Sequence, residues 1–433
     1  MLQTHGRGRV SEKEESQRTP LSVDAAMSLA TSFAGRIRRS ENVSLANSIG
    51  RRISTTITAE LDLPRFDSAA MDGYALSGGR NVYPLRGGNG IRPGEVPAEL
   101  SMGQAARIST GSRMPKGADR VVLQEYAVRS DEFVSLTKGE VEVGANIRLR
   151  GEDVRRGDTL LTEGETLDER KMALLAAQGF ASIGVLCAPR VAVISSGSEL
   201  RRPGDRLGPA NVFDCNGPML MALAARAGAD VTDGGCYPDD LDTLSQAVST
   251  LSENHDLIVL SGGASCGEPD LTALALRKAG AVVEELKIAM KPGKPALVGS
   301  VGETAVLGLP GNPVAAYVSW FTLGRSMIAA MCGSREDILK GCDLEAINEL
   351  QRKPGCSQFV PARRISRVQG EALEFLGRGG SASLLPLSRA DGFAYIEAGR
   401  GNVLPTERVN FVPFEPRQTG FAQVWGKRRV SPG

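Results

Sequence analysis

From Arg190 onward, short apolar runs suited to strands alternate with runs at helical spacing: RVAVISS, NGPMLMALAARAG, VTDGGCYP, LDTLSQAVSTLSEN, DLIVLSG, LTALALRKAG and VVEELKIAM. Such alternation implies βαβ units and a mainly parallel sheet, with ligands taken at the carboxyl ends of the strands. The stretch DLIVLSGGASCGEPD (256–270) shows how. Leu257 to Leu260 reads as a buried strand, a glycine-rich turn follows, and Asp270 opens the next helical run. Gly262, Gly263 and Gly267 admit φ > 0 and expose backbone N–H groups, while Ser261, Ser265 and Asp270 add polar side chains. This order suits a phosphorylated ligand held with a cation, although taken alone it would equally make a tight turn.

Two later loops tip the balance. Lys287-Ile-Ala-Met-Lys291-Pro-Gly-Lys294-Pro295 gathers three lysines, compact point charges suited to phosphate or oxyanion oxygens. Leu309-Pro310-Gly311-Asn312-Pro313 follows the strand Thr304 to Leu307 and opens a helix, with Asn312 at the N-cap and Pro313 at N1. Loops after successive strands would share one edge of a sheet.

Composition narrows the chemistry. At 433 residues the chain has room for two to four domains, and a formal net charge of +1 gives no general attraction to nucleic acid or membrane. Seven scattered cysteines without a C-x-x-C pair suggest neither a disulfide framework nor a zinc site and fit a reducing cytoplasm. No apolar run is long enough to span a membrane, and the polar start MLQTHGRGRVSEKEESQRTP lacks a secretory apolar core and is expected to be disordered. Of the two histidines, His5 lies in that tail and His255 precedes a strand at the end opposite the loops. Catalysis through a histidine base or His-ligated zinc is thereby set aside, leaving carboxylates, lysines, hydroxyls, amides and a hard cation.

The expected organisation is α/β and multidomain: a central mainly parallel α/β sheet domain, a β-rich insertion, a helical linking domain and a C-terminal small β-barrel. Residues 22–37 carry apolar side chains at helical spacing after Ser22, and 167–179 read as a second helix able to pack with the first. Between them lie short β-like runs, Ala105 to Ile108, Arg120 to Leu123 and Phe133 to Leu136. The last hundred or so residues return to short strands such as SQFVPARRIS, ALEFLGR, GFAYIEAG and ERVNFVPF. The boundaries expected are a tail at 1–20, a discontinuous linking domain at 21–50 and 152–187, the insertion at 51–151, the sheet domain at 188–335 and the barrel at 336–433.

The most specific segment is Leu63-Pro-Arg-Phe-Asp67-Ser-Ala-Ala-Met-Asp72-Gly-Tyr-Ala-Leu76, whose two carboxylates among small residues suit a rigid binding loop. Here the chain resembles the MoeA family of molybdopterin molybdotransferases, to which the gephyrin E domain belongs. The resemblance runs from about Leu21 to Phe414 through IRLRGEDVRRGDTLLTEG, ISTGSRMPKGAD, VISSGSEL, NVFDCNGPML, LSGGASCGEPD, KIAMKPGKP and LGLPGNPVAA. The sheet-domain loops are shared with related molybdopterin adenylyltransferases. Asp67 to Tyr74 together with Gly151-Glu-Asp153 separates the family from those.

The resemblance implies insertion of molybdate into adenylylated molybdopterin with release of AMP, aided by a divalent cation, Mg²⁺ being the usual expectation. Carried over by position, the catalytic set is Asp67, Thr110, Asp153, Glu199, Asp239, Asp270, Lys287 and Lys291, with Glu199, Asp239 and Asp270 as metal ligands. Substrate binding is assigned to Ser261, Gly262, Gly263, Ser265, Gly267, Lys294, Pro310, Gly311, Asn312, Pro313 and Ser381. It also implies a homodimer whose site crosses the interface, with the adenylyltransferase and recipient molybdoenzymes as further partners. Each assignment has a plainer rival: Asp153 capping the turn before Arg155, Glu199 pairing with Arg201 or Arg202, and Asp239 starting the helix at Leu241. The chain departs from the family pattern at Ser68-Ala69, Ser198, Cys215, Cys266 and Ala382. A protein that binds molybdopterin or acts as a scaffold without turnover is therefore the second reading.

Overall fold

The computed structural model describes residues 19–262, 271–334, 337–368, 370–377 and 380–414, so the expected tail lies almost wholly outside the described residues. The chain divides into two units, one comprising residues up to 41 and from 186 onward, the other residues 42–185.

In the first unit, β1 (Arg190–Ser196), β2 (Asp230–Tyr237), β3 (Leu257–Ser261), β4 (Val282–Lys287), β5 (Pro295–Val301) and β6 (Thr304–Leu309) form one sheet in the order β2-β1-β3-β6-β5-β4. The first four in that order are parallel, and β5 and β4 complete the sheet antiparallel. Strand side chains alternate, so both faces must be covered. Val191, Val193, Leu257, Val259, Ala305 and Leu307 bury on one face, and Ala192, Ile194, Ile258, Leu260 and Val306 on the other. Helices α1 (Val23–Ser32), α3 (Asn216–Arg226), α6 (Pro313–Ser319) and α7 (Arg325–Met331) contribute to the first core, while α4 (Leu241–Ser252) and α5 (Leu271–Lys278) contribute to the second.

Ser22 caps α1 by accepting the Ala25 N–H. This helix is shorter than its periodicity predicts. The Thr31 and Ser32 hydroxyls donate back to the carbonyls of Ser28 and Leu29, and the Ile37 N–H is taken by the Met331 carbonyl, so Phe33 to Ile37 leave the helical path. Val23, Ala26 and Ala30 bury in the sheet-domain core, and in the other unit Leu175 of the second helix, α2 (Glu169–Ala177), packs with Ile53 and Val185.

The barrel is built from β7 (Cys342–Ala346), β8 (Ser357–Arg367), β9 (Gly370–Phe375), β10 (Gly392–Ile396) and β11 (Arg408–Pro413). Its order β8-β9-β7-β11-β10 closes on itself because β10 also pairs with β8, which removes the open edges. Val360, Ala394 and Phe411 fill the barrel, whereas Phe359, Phe393 and Val412 point to the opposite face and join the sheet-domain core. There Phe393 meets Tyr317 and Phe321 edge-on at 5.7 and 5.4 Å.

The second unit holds small antiparallel sheets. Gly73–Leu76 runs between Ala105–Ile108 and Arg120–Leu123, and Phe133–Leu136 pairs with Val82–Pro84 and Ala127–Arg129. A carboxylate clasp stabilises it: Glu165 accepts from the Thr162 N–H and hydroxyl and pairs with Lys171 at 2.8 Å. The Lys171 ammonium, then the Thr162 donors, bring the Glu165 pKa from 4.5 down to about 2. A depressed carboxylate stabilises the fold above its unfolded pKa and loses that contribution as pH falls through the folded value. Glu165→Gln is therefore expected to cost about 1 kcal/mol or less at neutral pH, given its solvent exposure, and to flatten the fall in Tm between about pH 4.5 and 2. Thermal unfolding across that range checks it; an unchanged acid limb refutes it.

Candidate functional site

The parallel register brings the ends of β1, β3 and β6 level, with Ser195 beside Ser261 and Ser261 beside Leu309. Ser196 likewise stands beside Tyr237 at the end of β2. Because β5 runs the other way, its start at Pro295 lies beside Lys287 at the end of β4, so the lysine loop belongs to the same edge. One edge thus carries the loops of Glu199, Asp239, Gly262, Gly311 and Lys287 to Lys294.

Gly262 is where three of these loops cross. It takes φ +114, and a β-carbon there would lie 2.0 Å from the Ser196 carbonyl oxygen. Its own Cα is 3.8 Å from where a β-carbon on Gly311 would stand. Its N–H bonds the Leu309 carbonyl at 3.3 Å, and its carbonyl accepts the Thr272 hydroxyl at 3.0 Å. Asn216, at the start of α3, locks the crossing by donating to Ser261 Oγ at 2.8 Å and to the Gly311 carbonyl at 2.7 Å. The sequence reading missed Asn216. The resemblance of NVFDCNGPML was its only signal.

Asp239 follows β2 and clasps the turn after β1. Oδ1 accepts the Ser196 hydroxyl at 2.9 Å and Oδ2 the Ser198 N–H at 3.2 Å, while its own N–H donates to Ser198 Oγ at 3.1 Å. The start of α4 is capped by Asp240, so Asp239 is free of that duty. Glu199 is exposed, and its carboxylate folds over Gly197, where a β-carbon would stand 2.7 Å from Oε2. Arg201 donates to the Ser198 and Leu200 carbonyls and Arg202 pairs with Asp233, so neither is the partner of Glu199.

Lys287, Lys291 and Lys294 are all exposed at this edge. Asn312 stands at the N-cap of α6 with Pro313 following, although its side chain makes no cap bond. The Ser381 carbonyl accepts the Val314 N–H at 3.0 Å, which brings Ser381 to the first turn of α6 beyond Pro310. Gly263, Ser265, Gly267 and Asp270 lie outside the described residues.

The carboxylates fit a hard divalent cation in donor type, and the missing side chain at Gly197 leaves room for the Glu199 carboxylate. Among the described residues no group of three or more His, Cys, Asp or Glu forms a metal site, and the third expected ligand, Asp270, is not among them.

In the second unit, the segment from Leu63 to Ala70 is hydrogen-bonded on both sides. Ser68 and Ala69 pair with Arg148 and Ile147, Asp153 donates its N–H to the Leu63 carbonyl, and the Gly111 N–H bonds the Ala69 carbonyl. Asp67, Thr110 and Asp153 are therefore on neighbouring segments. Asp67 Oδ1 accepts the Arg150 N–H at 2.8 Å. The Arg155–Arg156 turn is held by Asp158 and Asp62, which leaves the exposed Asp153 carboxylate out of it. A cavity of about 350 Å³ opens here, lined by Arg65, Phe66, Ser68, Thr110 and Arg148 among others.

A parallel sheet with an anion-suited carboxyl edge, fused to a closed five-stranded barrel and accompanied by a β-rich unit, defines a multidomain protein of the molybdopterin-binding class. Residues 21–179 match the family model of the MoeA N-terminal region (domain I and II), 192–330 that of a probable molybdopterin binding domain, and 344–414 that of the MoeA C-terminal region (domain IV). The chain belongs to the MoeA family of molybdopterin molybdotransferases.

It is 32% identical over 383 residues, 87% of this chain and 94% of the other, to the molybdopterin molybdenumtransferase of Haemophilus influenzae. It is 29% identical to that of Staphylococcus aureus, over 82% of this chain and 87% of the other. The crystal structure of the molybdopterin biosynthesis MoeA protein from Pyrococcus horikoshii superposes with a TM-score of 0.76 at 28% identity, covering 92% of this chain and all of that one.

Proposed function

We propose that the protein is a molybdopterin molybdotransferase of the cytoplasm, joining molybdate to adenylylated molybdopterin and releasing AMP. The observation that carries this reading is the edge itself: two carboxylates and three lysines on loops that the register of one mixed sheet brings to the same side. A dianionic oxyanion approaching a pyrophosphate is repelled unless cations screen both. Lys287 and Lys291 would hold the oxyanion, while Lys294 and the amide of Gly311 would take the phosphates. Glu199 and Asp239, with Asp270, would hold Mg²⁺, which when bound supplies charge neutralisation and polarises the phosphoryl group.

Asp67, Thr110 and Asp153 would complete the site from the partner copy of a homodimer. The departure at Ser198 is absorbed locally, since its hydroxyl accepts the Asp239 N–H within the clasp. Purified protein with Mg²⁺, molybdate and adenylylated molybdopterin is expected to release AMP. A carrier or scaffold would bind the substrate and release none.

A further inference from the structure

The antiparallel register pairs Gly73 with Ile108, so the residues just beyond, Asp72 and Thr110, meet although 38 positions separate them. On the other side of the strand Gly73 lets Arg120–Leu123 come close, since a β-carbon there would lie 1.8 Å from the Val122 carbonyl oxygen. One carboxylate oxygen of Asp72, Oδ1, accepts both the Thr110 N–H at 2.6 Å and the Thr110 hydroxyl at 2.8 Å. Thr110 lines the 350 Å³ cavity with Arg65 and Arg148, whereas Asp72, itself exposed, is not part of the lining.

We propose that Asp72 is the positioning residue of Thr110, engaging its hydroxyl proton so that only the oxygen's lone pairs face the cavity. An ionised carboxylate accepts and cannot donate, so the proton between the two side chains belongs to Thr110. The Thr110 N–H, then its hydroxyl, with Arg107 nearby, hold the Asp72 carboxyl below the usual range and keep it in that accepting form. Thr110 thus accepts an N–H or O–H of the substrate and leaves phosphoryl oxygens to Arg65 and Arg148. The inference rests on the reading that Thr110 belongs to the substrate site.

The test is a double-mutant cycle on AMP release. Asp72→Ala and Thr110→Ala are each expected to lower kcat/KM about tenfold, and the double variant to be no worse than the poorer single one. Thr110→Ser, and Asp72→Asn with its amide oxygen as acceptor, are expected to stay within about threefold of the parent. Multiplying losses, about a hundredfold in the double variant, would mean that Asp72 acts on stability or elsewhere, and the proposal falls. Should Asp72→Ala not fold, Asp72→Asn replaces it in the cycle, and its smaller loss must vanish once Thr110 is alanine. A parent protein that releases no AMP overturns the functional reading itself; an active parent with multiplying losses overturns only this one.

Discussion

Gly262→Ala is expected to lower the unfolding temperature by roughly 10 °C and to abolish AMP release. The added methyl would be placed 2.0 Å from the Ser196 carbonyl oxygen, a backbone atom that no rotamer change can move aside. The residue also sits at φ +114, which an L side chain rarely adopts. Overpacking and left-handed backbone strain together cost about 3 to 5 kcal/mol. The loss is local in origin but not in consequence. To relieve the clash, the turn after β3 must lift from the turn after β1, and it then leaves Gly311 and the Asn216 bonds as well. Ser261→Ala is the control, since it removes one hydroxyl from Asn216 and adds no atom. A Gly262→Ala protein that melts within about 2 °C of the parent and turns over normally would show that the three loops need not cross there.

What the sequence made legible follows from how each feature is encoded. The strands Ala105–Ile108, Arg120–Leu123 and Phe133–Leu136 stood out because short apolar runs are bounded by turn residues, and that signal is local. The site edge was readable for a similar reason: in a parallel sheet the loops after successive strands come out on one side. The end of α1 was not readable, because Ile37 is held by Met331, far along the chain. Nor was Cys342–Ala346, whose burial pattern is half exposed and which is a strand only because β9 and β11 flank it. Motif resemblance pointed to Asp67 and Thr110. That Asp72 is spent on Thr110, and Asp239 on Ser196 and Ser198, depends on long-range pairing that no spacing rule contains.

Asp239→Asn is expected to keep the fold and lose the chemistry. The asparagine oxygen can face the Ser198 N–H, which is only a donor, while its amide donates to Ser196 Oγ, which can accept as readily as it gives. The clasp survives, so the unfolding temperature should move by no more than about 1 to 2 °C. What disappears is the negative charge on the turn that leads into Glu199. If that charge serves the transfer, AMP release should fall by about a hundredfold or more, and more Mg²⁺ should be required to reach half of the remaining rate. Ser198→Ala makes the opposite cut, since it removes the hydroxyl that accepts the Asp239 N–H and leaves the carboxylate in place. Its effect should be confined to a small loss of stability, with the Mg²⁺ requirement unchanged. Were Asp239→Asn to turn over like the parent at every Mg²⁺ concentration, Asp239 would be a clasp and nothing more, and the cation would have to be held by other groups at this edge.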